Sequence, residues 1–120
     1  SLQPLSIVVL DAGGHLIAFQ RQDNASILRF EIAFSKAYGA IGMGIGSRGL
    51  ANKAKEIPSF ILGAISASNG RMIPAPGGVL VLNENDELVG AVGVSGDSSD
   101  NDERAAIFGI QAIGLTPKVD

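Results

Sequence analysis

The sequence reads as an α+β protein in which helices pack on a five-stranded, largely antiparallel sheet. Three observations predict this. Short β-branched runs closed by Gly- or Asn-rich turns open the chain and return late in it, the middle recurs at helical spacing, and the period then switches back. The 120 residues, 46% hydrophobic and 18% charged, suffice for one domain over 1–120 with a buried core.

Ser6 to Leu10 is an apolar, β-branched run closed by Asp11-Ala12-Gly13-Gly14, and Leu16 to Gln20 resumes it. Gly-Gly supplies the positive φ of a tight turn, so these two runs form a hairpin. Ser26 can cap a helix in which Ile27, Phe30, Phe34, Ala37, Tyr38 and Ile41 recur at three- and four-residue spacings, ended by Gly39, Gly42, Gly44 and Gly46. Ser47 caps a weaker helix through Lys55, and Pro58 opens a third over 59–68 before Asn69-Gly70 turns the chain. Arg71 to Ile73 is expected as a short strand, Pro74-Ala75-Pro76-Gly77-Gly78 as a rigid loop, and Val79 to Leu82 as a strand. Asn83 to Glu87 is a polar hairpin turn, and Leu88 to Ser95 is a strand too apolar to face water on both sides. Asp100 can cap a last helix with Asp102 and Glu103 in its first turn and Ala106, Ile107, Ile110 and Ile113 along its buried stripe. The predicted order is ββαααβββα.

Cysteine is absent and histidine occurs once, at His15. That removes disulfides, Cys-ligated zinc, iron–sulfur clusters and cysteine nucleophiles, and no structural metal is expected. No apolar run approaches the roughly 20 residues that span a bilayer. Ser1-Leu2-Gln3-Pro4 has neither part of a signal peptide, so a cytoplasmic, membrane-free protein is expected, while a start on Ser fits an upstream segment, a signal included, having been removed. The formal charge of −3 divides as +4 over residues 21–71, −6 over residues 72–120 and −1 at Asp11. The cations are spread over helical sequence without clustered Lys/Arg or interleaved aromatics, so no nucleic-acid partner is expected.

Gly44-Ile45-Gly46-Ser47-Arg48-Gly49 matches a dinucleotide fingerprint but follows a helix, where the fingerprint requires a strand. The acids at Asp97, Asp100, Asp102 and Glu103 lack calcium-loop spacing and suit helix capping. His15, just past a Gly-Gly turn, reads either as a surface histidine or as an axial ligand to an iron porphyrin or corrinoid, for which one neutral imidazole suffices. The 74–78 loop reads either as a tight crossover between strands or as backbone open to a docked ligand.

Taken together, Val8-Val9-Leu10-Asp11-Ala12-Gly13-Gly14-His15-Leu16, Ser35-Lys36-Ala37, Pro76-Gly77-Gly78-Val79, and Gly90-Ala91-Val92-Gly93-Val94-Ser95-Gly96 followed by Asp102-Glu103 resemble the GlcG/HbpS-type family. That family includes the C-terminal domain of PduO-type corrinoid adenosyltransferases and carries the label of a haem-degrading domain. The resemblance runs from about Ser6 to Ile113. It implies a profilin-like fold, a homo-oligomer, and haem or a corrinoid as cofactor. It also implies iron ligation at His15 and a pocket lined by Lys36, Pro76, Gly77, Gly78, Ser95 and Gly96, and it matches Asp102 to the acid that opens the last helix. Arg21, Arg29 and Arg71 are added as cationic partners for carboxylates. Family members carry a helix of about twenty residues before the first strand. It is missing here, which implies a bare sheet face to be covered by a partner subunit or a removed segment.

Three functions are consistent with these residues. The first is small-molecule binding, of haem or a related tetrapyrrole or corrinoid. The second is an enzyme acting on a small carboxylated or aromatic-derived metabolite, with Lys36 or an arginine on the carboxylate and Glu31, Asp102 or His15 as acid–base group. The third is a structural oligomer subunit without ligand.

Overall fold

A computed structural model describes residues 2–120. The strands β1 (Ser6–Asp11), β2 (Leu16–Arg21), β3 (Gly78–Leu82), β4 (Leu88–Ser95) and β5 (Thr116–Lys118) form one sheet in the order β2-β1-β4-β3-β5. Every neighbouring pair is antiparallel. The helices are α1 (Arg29–Met43), α2 (Ser47–Glu56), α3 (Pro58–Ala67) and α4 (Ser99–Ala112).

The sheet's two-residue period sorts its side chains between two layers. Val8, Leu10, Leu80 and Ala91 point to α1 and pack against Ala33, Ala37 and Ala40. Val79, Val81 and Val94 point the other way and meet Ala106 and Ile110 of α4. The stripe that α1 lays on the sheet is made of alanines, so the helix comes unusually close. A Cβ on Gly93 would stand 1.9 Å from the carbonyl oxygen of Ala33, and one on its cross-strand partner Gly78 would stand 2.2 Å from that of Lys36. Helix α4 covers less of its face. Ile7, Val9, Ile17 and Val89 remain beside it in an open apolar recess of about 360 Å³.

One expected strand is corrected. Arg71–Ile73 is not in the sheet, and the fifth strand is β5 at the end of the chain, so the order is ββαααββαβ. Met72 is drawn instead into a third cluster with Leu50 and Ile61, over Gly39, where an added Cβ would lie 2.7 Å from its side chain. The free edge of β3 is taken by β5, whose Pro117 is tolerated because an edge strand needs no second ladder. Three capping expectations also shift. Helix α1 starts after Leu28 with no side-chain cap, Ser98 caps α4 by accepting from the Asn101 amide, and Gly46 takes the cap position of α2. Ser47 is used for tertiary contact: its hydroxyl accepts from the Gly78 amide at 2.7 Å and donates to the Gly78 carbonyl at 3.2 Å.

Asp97 fastens the start of the chain to the β4–α4 turn. Its carboxylate accepts from the Gln3 amide at 2.7 Å, the Asn101 side chain at 2.7 Å and the Ser98 amide at 2.9 Å. These donors, the Gln3 amide foremost, hold the carboxyl at about 2 against an ordinary 3.8. With the folded value below the unfolded one, the contribution is present above 3.8 and is lost as pH falls through about 2. The Gln3 amide resonance should therefore titrate with a midpoint near 2 in an NMR pH series, and a midpoint near 3.8 would refute the contact.

Candidate functional site

The turn between β1 and β2 is organised by Asp11. Its carboxylate Oδ1 accepts from the Gly13 and His15 amides, each at 2.9 Å, and its backbone N–H donates to the His15 carbonyl at 2.9 Å. The same carboxylate lies 3.2 and 3.3 Å from His15 Nδ1. Hydrogen bonding, first from the His15 amide, holds the Asp11 carboxyl below its ordinary range. A carboxylate facing Nδ1 makes that nitrogen the donor, which leaves the lone pair on Nε2. The His15 side chain is 81% exposed, so that lone pair faces outward.

Beside the turn runs a ladder of aromatic rings. Phe19 of β2 meets Phe30 edge-on at 4.7 Å, Phe30 meets Phe34 at 6.0 Å, and Phe34 stacks on Tyr38 at 5.5 Å. Four of the chain's six aromatic residues (five Phe and one Tyr) stand in this row. Three come from α1 at i, i+4 and i+8, which share one helix flank. The Tyr38 end reaches the hairpin: Gly14, at φ +83°, lies so close that a Cβ there would be 3.1 Å from the Tyr38 ring. Arg71, held by the Ser68 carbonyl at 2.7 Å, places its guanidinium 4.3 Å from the Tyr38 ring centre. His15, Tyr38 and Arg71 thus gather at one end of the sheet.

The remaining expected residues lie elsewhere. Ser6 pairs with Ser95 and Asp11 with Gly90, so Ser95 and Gly96 are about five strand rises, roughly 17 Å, from the hairpin. Lys36 is 3% exposed, and its Nζ donates to the Val94 carbonyl at 3.0 Å and to Asp102 Oδ2 at 3.1 Å. Asp102 is 1% exposed and spends its other oxygen on the Asp97 amide. The pair passes the end of β3 to join α1 to α4, through the space left by Gly77, where a Cβ would stand 2.8 Å from Nζ. Gly78 lies under α1, and a Cβ on Gly96 would meet the Pro4 carbonyl at 2.2 Å. Pro76 is half-buried in the loop beside Gly77. Arg29 donates to Ser95 Oγ at 3.1 Å, Arg21 is exposed at the end of β2, and Glu31 is exposed on α1. Arg48 forks onto Glu103 and Asp100, which keeps it firmly charged and ties α2 to α4.

The structure therefore brings His15 together with Arg71 and sets both apart from Lys36, Asp102, Ser95 and the 76–78 loop. Asp11 and Tyr38, with Phe34 stacked on it, belong to the hairpin site without having been singled out for it. The i, i+4 spacing of the rings was visible but reads equally as a core stripe.

The family of haem degrading proteins of the HbpS-like type matches residues 1–111. An uncharacterized 15.0 kDa protein of the dhaT-dhaS intergenic region of Citrobacter freundii is 31% identical over 103 residues, which span 86% of this chain and 71% of that protein. The crystal structure of a PduOC:heme complex superposes with a TM-score of 0.86 at 25% identity, over 98% of this chain and 83% of that one. The crystal structure of HbpS does so with a TM-score of 0.78 at 26% identity, over 92% and 74%.

Proposed function

This chain belongs to the HbpS-like family of haem degrading proteins, and we propose that it binds haem at the β1–β2 hairpin through His15. The observation that carries this reading is the Asp11 carboxylate on His15 Nδ1. A metal-ligating imidazole characteristically gives its other ring nitrogen to a carboxylate, which sets the tautomer and raises the basicity of the ligating one. Bound haem would supply an iron centre, a flat apolar ring and two carboxylates. The residues present suit each part. His15 Nε2 is free and exposed, the apolar Phe34–Tyr38 pair reaches the neighbouring Gly14, and Arg71, seated over the Tyr38 ring, adds a positive charge. The PduOC haem complex supports haem over a corrinoid.

The chain acts in this reading as one domain over 1–120 within a homo-oligomer. Support for assembly comes from Ile27 and Leu28, just before α1, and Phe19 of β2, which are 88%, 59% and 42% exposed.

Haemin titration followed at the Soret band tests the reading. The wild type should shift the band and saturate. Asp11→Asn should weaken binding about tenfold to a hundredfold, the usual cost of losing the partner of a ligating histidine. His15→Ala should abolish the histidine-ligated spectrum. An unchanged band in His15→Ala removes that residue from the iron, and no shift in the wild type sinks the haem reading.

A further inference from the structure

We propose that copies of this chain join head to tail, the exposed corner at Ile57 and Phe60 of one entering the apolar recess beside α4 of the next. The contact rests on the homo-oligomer reading and gives it an interface.

The recess has no polar wall. Its sixteen lining residues are Ile, Val, Leu, Ala and Gly throughout, and Ile17, Val89 and Ile113 among them stay exposed. Apolar surface left open in this way marks a contact site. An apolar cavity of ~150 Å³ holds one benzene ring, so the recess of about 360 Å³ takes roughly two groups of that size.

The start of α3 supplies two. The ten residues of this helix carry no charge and only Ile61 is buried, while Phe60 and Leu62 are 58% and 69% exposed. A helix apolar on all sides is normally covered on all sides. Ile57 and Phe60 stand three residues apart at its first turn and so project on one side, and Pro58 between them stiffens the corner with α2. This corner is out of reach of its own chain's recess. Its cluster closes over Gly39 of α1, which covers one face of the sheet, and the recess opens beside α4 on the other.

Charge favours a second copy over an unrelated apolar partner. Lys53 and Lys55 lead from α2 into the corner, and Glu84, Asp86 and Glu87 lead from the β3–β4 turn into Val89. Among the described residues none of these five joins an ion pair. With Glu56 counted, the corner carries two cations and one anion, a net +1, against −3 on the turn. Lys55 stands two residues before Ile57 and Glu87 two residues before Val89, so each charge lies roughly 5–7 Å from the apolar group it accompanies. Opposite charges at matching distances from matching apolar surfaces steer one copy onto the next. Corner and recess are different patches, so the contact is heterologous and repeats until a ring closes.

The test is the oligomeric state of the whole chain, measured by light scattering on a sizing column. The wild type is expected to assemble, and Phe60→Glu and Ile17→Lys, both at exposed positions, should each weaken association at least tenfold. Mixed in equal amounts, the two variants should form a dimer and nothing larger, because one keeps the recess and the other the corner. Lys53→Glu with Lys55→Glu should weaken assembly several-fold at low salt and less at high salt. A monomeric wild type overturns the homo-oligomer reading together with this interface. A wild-type oligomer that survives Phe60→Glu overturns the interface alone and gives the recess to another occupant, a different segment of the partner or a small apolar molecule. Survival of Ile17→Lys, or a mixture that stays monomeric, also overturns the interface alone.

Discussion

Replacing Asp102 by alanine is expected to destabilise the protein by about 3–5 kcal/mol in denaturant unfolding, the cost of orphaning a buried charge. Lys36 is 3% exposed and has no other anion, its second contact being the Val94 carbonyl. The substitution also strips the Asp97 amide of its acceptor and so loosens the β4–α4 turn. The double change Lys36→Met with Asp102→Asn removes both charges and keeps an acceptor, and it should recover most of the loss. An equal loss in the double variant would show that the pair acts through something other than its charge. The pH dependence follows from burial, which is the largest influence on Lys36 and pushes its ammonium below the ordinary 10.5. Between the two values the unfolded chain keeps a proton that the folded chain has released, so stability rises with pH across that window. Lys36→Met should remove that rise.

The second large effect is steric. Gly93→Ala should cost about 3 kcal/mol or more, because its Cβ would stand 1.9 Å from the Ala33 carbonyl oxygen and 3.0 Å from the Ala37 Cβ. Both obstacles are parts of a helix already seated on the sheet, so relief requires α1 to lift. Lifting α1 would also move Phe30, Phe34 and Tyr38, and with them the aromatic contact to Gly14 that supports the hairpin, so haemin affinity should fall together with stability. Gly63→Ala on α3 is the control. Nothing lies within 4 Å of its Cβ, and a gain of about 0.5–1 kcal/mol is expected from helix propensity. If both variants unfold alike, close approach of α1 is not what requires glycine at position 93.

Local signals carried most of the elements. Leu88–Ser95 is bounded in the structure as its apolar run between turn residues implies, and the first hairpin is extended by one residue on each strand. Both depend on period and turn chemistry within ten residues. The expected strand at Arg71–Ile73 and the unexpected one at Thr116–Lys118 exchange roles for a non-local reason. Three residues make a strand only if an edge is free to receive them, and Met72 packs instead with Leu50 and Ile61 over Gly39 while β5 takes the edge of β3.

The site divides in the same way. A lone histidine after a Gly-Gly turn, in a chain without cysteine, is a fact of composition and order, and it marks His15 as a candidate from the sequence alone. So does the family resemblance, since ordered blocks of residues can be compared without folding them. What holds His15 is also local, as Asp11 stands four residues away across a tight turn. The division of the other candidates is not local. Lys36 and Tyr38 are two residues apart on α1, yet one is buried against Asp102 beyond the end of the sheet and the other faces Gly14 at the hairpin. Successive helical residues differ by about 100° in direction, so chain neighbours serve different ends of the molecule. Which end each one serves depends on where α1 rests on the sheet, and Gly78 and Gly93, on a hairpin far from α1 in the chain, settle that by letting the helix backbone come close.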